Sequence, residues 1–237
     1  MRRPVPTCHR FLSAETGTSA IEFALVFPVL ALLMLAGLQV VLYVNATRRV
    51  EMVANSISQM ISQAVPPNAS TTTATVNALD LHFSYDSSLV LFPYLMKDAS
   101  RKGMAWWQDI TIDYASIQFT QITTLCNGAT DQSPCYLANV VWTSTGTAGN
   151  NNRPCLIPQI AADDSARPSP QTLPRSVYGP GSIIAVDVSF TFVPTFGAQF
   201  LPSIQINRSV FVQPRYAALI KFDPTSNDGI ATTCPGY

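Results

Sequence analysis

The chain has 237 residues, 47% of them apolar and only 12% charged, and its 14 basic side chains balance 14 acidic ones. Mean hydropathy is +0.20. This excludes a disordered chain, which needs low hydrophobicity and high net charge. A net charge of zero also offers no electrostatic footprint for nucleic acid. The length allows one or two domains, and either a very apolar globule or a membrane segment must account for the hydropathy.

Arg2, Arg3 and Arg10 precede an apolar span, with Glu15 the only acid outside its edge. From residue 23 to residue 47 there is no charge, and residues 23–44 are almost wholly apolar, Gln39 being the one strongly polar side chain. Those 22 residues make ~33 Å of helix, enough to cross a hydrocarbon core of ~30 Å. A cleaved secretory signal would have an apolar region of only ~7–15 residues closed by a small-x-small site. Arg48 and Arg49 follow the span with Glu51 beside them. The basic bias before the span favours a cytoplasmic N-terminus and export of the rest.

The helical pattern continues beyond the span. Val50, Val53, Ala54, Ile57, Met60, Ile61 and Ala64 recur at three and four residues, marking one face. Pro66 and Pro67 end the run. One helix from about residue 19 to residue 65 is expected, roughly 67 Å long, greasy all round in its first half and amphipathic in its second. Pro28 inside it removes one backbone hydrogen bond and should kink it.

Residues 66–77, rich in Pro, Ser and Thr, read as a linker. Residues 86–103 read as a short helix with Leu89, Phe92, Leu95 and Met96 on one side and Gly103 at its end. Four strands follow. Ile110, Ile112 and Tyr114 alternate with polar residues, and Ile117 and Phe119 resume one position out of step, which suggests a bulge. Residues 137–143 are the second strand. Residues 184–192 show the clearest alternation, and 204–213 form the fourth strand. The nine residues from Pro194 to Pro202 are long for a hairpin loop, so this connection should pack rather than dangle. The whole reads as α+β: a long N-terminal helix packed on a small antiparallel sheet.

Of five cysteines, Cys8 precedes the span, while Cys126, Cys135, Cys155 and Cys234 follow it and can form two disulfides in an oxidising compartment. Three pairings are possible; Cys126–Cys135 with Cys155–Cys234 is the expected one. With only two histidines, His9 and His82, these spacings do not suit zinc. Catalysis finds little support. His82 is the one histidine beyond the span, sits in no recognisable nucleophile setting and reads as an ordinary loop or surface residue. Lys97, Lys102 and Lys221 lie in polar surroundings unsuited to a Ser–Lys pair. Asp187-Val-Ser-Phe-Thr superficially matches a metal-binding pattern, but its polar residues are the outward positions of a period-two strand. No Gly-rich phosphate loop is present. Trp106-Trp107 read as half core and half surface at a strand entrance.

The segment Gly17-Thr18-Ser19-Ala20-Ile21-Glu22-Phe23-Ala24-Leu25-Val26-Phe27-Pro28 resembles the start of TadE/TadG-like proteins of the tight-adherence (Flp) pilus machinery. The resemblance covers about residues 14–64 and returns more weakly near 181–215. It implies a pseudopilin-like protein. Gly17 would be the last leader residue, Thr18 the first mature one, and Glu22 the fifth, the position whose carboxylate pairs with the freed amine of a neighbouring subunit. Phe23 would open the packing helix and Pro28 complete the motif. Thr18 stands where true pilins commonly have an apolar residue.

The expected organisation is a cytoplasmic leader (1–17), a membrane and amphipathic helix (18–65) and an exported head (66–237, with linker 66–77). The protein is expected in the inner membrane as a single pass, its head periplasmic or extracellular. The partners implied are the membrane, other pilus-assembly subunits through the helix, and a prepilin-type peptidase. No catalysis, metal, cofactor, small-molecule substrate or nucleic acid is expected. The alternative reading is a signal-anchored periplasmic enzyme or binding module unrelated to pili.

Overall fold

The computed structural model describes residues 18–126, 129–145, 152–196, 198 and 202–237. The chain divides into two units: residues up to Asn45 together with Pro194–Pro202, and Ala46–Val193 together with Ser203–Tyr237. One element, helix α1 (Thr18–Ser62, 45 residues), contributes to both and runs through Pro28 without a break in the helix. It ends three residues before the expected Val65.

In the first unit the side chains of α1 stand outward from Ile21 onward. Between Ile21 and Val41, only Ala31, Leu35 and Gln39 fall short of full exposure, and their four-residue spacing places them on one face. The connection Pro194–Pro202 belongs to this unit, and within it the backbone of Thr195 and Phe196 meets the Gln39 side chain.

The second unit is the head. Val50, Val53, Ala54 and Ile57 of α1 are completely buried in it, as their helical spacing requires. Strand β1 (Thr73–Asn77) lies inside the segment 66–77 expected to be a linker. It pairs in parallel with β8 (Leu219–Asp223), from Thr73 opposite Leu219 to Asn77 opposite Asp223. Asn77 then caps helix α2 (Ala78–Leu91) through a reciprocal box: its side chain accepts from the Asp80 N–H, and the Asp80 carboxylate accepts from the Asn77 N–H. The helix expected over 86–103 is thus two helices. Pro93 interrupts them, and α3 (Tyr94–Lys102) ends at Gly103, whose φ of +71° is the left-handed conformation that a helix C-terminus favours. The one-turn helix α4 (Trp106–Asp109) carries the tryptophan pair. Trp106 packs against Tyr85 at 5.4 Å, and Trp107 is largely exposed.

The main sheet is antiparallel with five strands in the order β7 (Ile204–Val212), β6 (Gly181–Phe192), β2 (Ile110–Gln121), β3 (Tyr136–Ser144) and β9 (Ala231–Thr233). The four strands expected from alternation are all present. A short parallel pair, β4 (Ile160–Ala162) and β5 (Thr172–Pro174), lies in the segment between β3 and β6.

The bulge expected along β2 falls on its partner strand, and the change of phase in β2 has another cause. Opposite β3 the register shifts between Ser116 and Ile117, leaving Val141 of β3 as the extra residue. Opposite β6 the pairing from Ile110 to Phe119 is continuous. Ile110, Ile112 and Tyr114 therefore face one side, where Phe92 meets Phe190 edge-on at 5.2 Å. Ala115, Ile117 and Phe119 face the other, where they pack with Ile183, Ala185, Leu173 and Tyr178. The sheet centre is covered on both faces, so its strands lose the plain in–out alternation.

Candidate functional site

The processing and assembly residues expected from the sequence fall at the start of α1. Gly17 lies outside the described residues. Thr18 is the first helical residue. Glu22 lies one turn further and is exposed, as are Phe23 and Pro28. The Phe23 and Phe27 rings meet at 5.5 Å along the helix surface. Glu22 is the only charge between Thr18 and Thr47, on a helix long and apolar enough to cross a membrane. A carboxylate at such an edge is costly alone and tolerable when paired, and a helix N-terminus favours negative charge by about 0.3–1 kcal/mol.

In the head, the structure joins Cys126 to Cys135, between β2 and β3, and Cys155 to Cys234 beyond β9. His82 is on helix α2 rather than in a loop, and its Nε2 lies 2.6 Å from Asp228 Oδ2 in a solvent-exposed pair. Among the described residues, no group of three or more His, Cys, Asp or Glu side chains could hold a metal.

A second polar cluster, on the sheet itself, is one that the sequence pattern concealed. Asp113 of β2 and Asp187 of β6 stand directly opposite each other in register, so Asp187 is not simply an outward strand position. Arg153, only 1% exposed, forks onto Asp187: Nε donates to Oδ2 at 2.9 Å and Nη2 to Oδ1 at 3.1 Å. Its Nη1 donates to Gln159 Oε1 at 2.6 Å and to the Thr172 carbonyl at 3.0 Å, and its guanidinium lies over the Phe211 ring. Ser209 donates to Asp187, and Ser144 donates to Asp113 Oδ1 at 3.3 Å. The carboxylates open onto a cleft of about 190 Å³ also lined by Ser189, Gln205 and Asn207. Ser189, Gln205 and Asn207 hydrogen-bond in a chain of their own. Arg153 thereby fastens the segment between β3 and β6 over the second face of the sheet. Residues 144–182 are rich in Gly, Asn and Pro, and nothing in that composition marks one arginine for burial.

Burial pushes the Asp113 pKa up to about 7, and the charge on Asp187 adds to it; the Ser144 bond and the Arg153 charge pull the other way. A carboxyl with a raised folded pKa binds its proton more tightly in the fold than in the open chain. Its contribution is therefore complete below about pH 4 and is lost as pH rises through about 7. Asp113→Asn keeps the acceptor for Ser144 and removes the ionisation. Relative to the parent it should be unchanged at pH 4 and more stable at pH 8, by as much as ~4 kcal/mol. Denaturant midpoints at the two pH values measure this, and a parent–variant difference that stays constant refutes it.

Residues 17–57 match the family model described as TadE-like protein. The match covers α1 from its start to Ile57, Glu22 included. No curated protein and no solved structure matches the chain.

Proposed function

We propose that the protein is a membrane-anchored, pseudopilin-like structural component in the assembly of tight-adherence pili, working by helix packing rather than by chemistry. The observation that carries this reading is a single long apolar helix opened by Glu22 within the TadE-like segment. α1 anchors the chain and packs beside the helices of other pilus-assembly subunits, while the disulfide-stapled head stands on the far side of the membrane. Two disulfides suit an oxidising compartment, in keeping with the basic residues before the span. A prepilin-type peptidase would cut between Gly17 and Thr18, freeing the amine that a neighbouring Glu22 pairs with.

Replacing Glu22 with alanine tests the assembly role. A hydrogen bond to a charged group contributes about 1.5–3 kcal/mol, so pilus number should fall by about tenfold or more. The amount of protein in the membrane should be unchanged. Wild-type piliation by Glu22→Ala would overturn the reading. The mass of the membrane-extracted chain tests processing separately: a mature N-terminus at Thr18 is expected.

A further inference from the structure

We propose that Thr195 and Phe196, which follow β6, form a second membrane contact, entering the bilayer beside α1 with Phe196 against the lipid acyl chains. The proposal rests on the reading of α1 as a membrane span.

The argument begins at Gln39. It lies five residues, or ~7.5 Å of helix, inside the end of the apolar run at Val44. A carboxamide at that depth costs several kcal/mol when its hydrogen bonds are unmade. Gln39 is only 9% exposed, however, although its neighbours Leu38, Val40 and Val41 are open. Its carboxamide hydrogen-bonds the backbone of Thr195 and Phe196. The exchange is reciprocal: the loop backbone satisfies the glutamine, and the glutamine satisfies a backbone that has left the sheet ladder. Irregular backbone at membrane depth requires such partners.

Two further observations agree. Leu35 and Ala31, the only other residues between Ile21 and Val41 short of full exposure, lie one and two turns from Gln39 on the face that carries Thr195 and Phe196. The sequence from residue 188 to residue 207 contains no charged side chain, and Phe196 falls within it. Phe196 is 46% exposed. An aromatic side chain held at the level of Gln39 extends the apolar surface that the span already turns to lipid, which identifies the bilayer as the occupant.

The test uses the full chain in vesicles of phosphatidylethanolamine and phosphatidylglycerol, with Cys8 replaced by serine and the four remaining native cysteines oxidised. An environment-sensitive fluorophore is attached at Phe196→Cys, at Leu33→Cys within the span, and at Ser226→Cys on the head. Lipids carrying nitroxides on their acyl chains should quench the Phe196 label as strongly as the Leu33 label and leave the Ser226 label bright. Quenching at Leu33 with none at Phe196 overturns the loop contact alone. A blue-shifted Phe196 label that lipid does not quench also overturns it, because a protein then covers the residue. Failure to quench Leu33 removes the membrane span and this proposal together.

Discussion

Lys102→Met is expected to destabilise the head by about 3–5 kcal/mol, the usual cost of removing one partner from a buried ion pair. Lys102 stands between two carboxylates that water does not reach. Its Nζ lies 2.6 Å from Asp98 Oδ2, contacts Asp109 Oδ1, and donates to the Thr191 carbonyl at 2.5 Å. Burial opposes the charge on Asp98, but the bonds from Lys102 and Arg101 outweigh it and hold its pKa below the usual value. On Asp109 burial wins and the pKa is raised, although Lys102 works against it. Methionine keeps an unbranched apolar chain and deletes the ammonium, together with its contact over the Phe190 ring. Both carboxylates then lose a counter-ion, and α3 loses one of its ties to the end of β6, that from Arg101 to the Val193 carbonyl remaining. Chemical denaturation of the full chain in detergent measures the cost. Adding Asp98→Asn and Asp109→Asn to Lys102→Met should return much of the loss, because the buried charges leave with the lysine. A Lys102→Met protein within about 0.5 kcal/mol of the parent would place it among ordinary surface substitutions and refute the argument.

Loss of the Cys155–Cys234 bridge should cost about 4–5 kcal/mol, and loss of Cys126–Cys135 only about 2.5–3 kcal/mol, on the chain-entropy account of cross-links. The contrast follows from separations of 79 and 9 residues. The longer bridge also anchors the segment that Arg153 holds over the sheet, beside β9 where the Cys234 N–H donates to the Val141 carbonyl. Comparing Cys155→Ser/Cys234→Ser with Cys126→Ser/Cys135→Ser by denaturant unfolding decides the order. Equal costs, or a larger cost for the short loop, would show that native-state packing rather than unfolded-chain entropy sets the stabilisation.

What could be read from the sequence followed the strength of local signals. The helix α1 announces itself by an uncharged apolar run and then by three- and four-residue spacing, and β6 by alternation. β1 was hidden because Thr-Ala-Thr-Val occurs in a Ser- and Thr-rich stretch and its partner, β8, lies about 145 residues away; a parallel pair has no hairpin turn to betray it. The start of α2 was missed because Leu79 and Phe83 are exposed, so apolar residues occur on both faces and blur the period. Glu22, Phe23 and Pro28 were legible as a motif and sit together on the first turns of α1. The Asp113–Asp187–Arg153 cluster was not, because it depends on register across β2 and β6 and on a loop arginine. Alternation places Asp187 outward only while nothing covers that face. Gln39 was visible as the polar exception in the span, but its partners come from more than 150 residues later.

The pairing of β1 with β8, the addition of β9 to β3, and the bridge to Cys234 impose an order on events in the cell. The buried stripe of α1 ending at Ile61 is among the first parts of the head to be made, yet the last strands of that head arrive about 160 residues later. At a synthesis rate of ~5–20 residues per second, that greasy surface waits roughly 10–30 s for its cover. During the interval it is open to wrong neighbours, as transiently exposed apolar surface generally is.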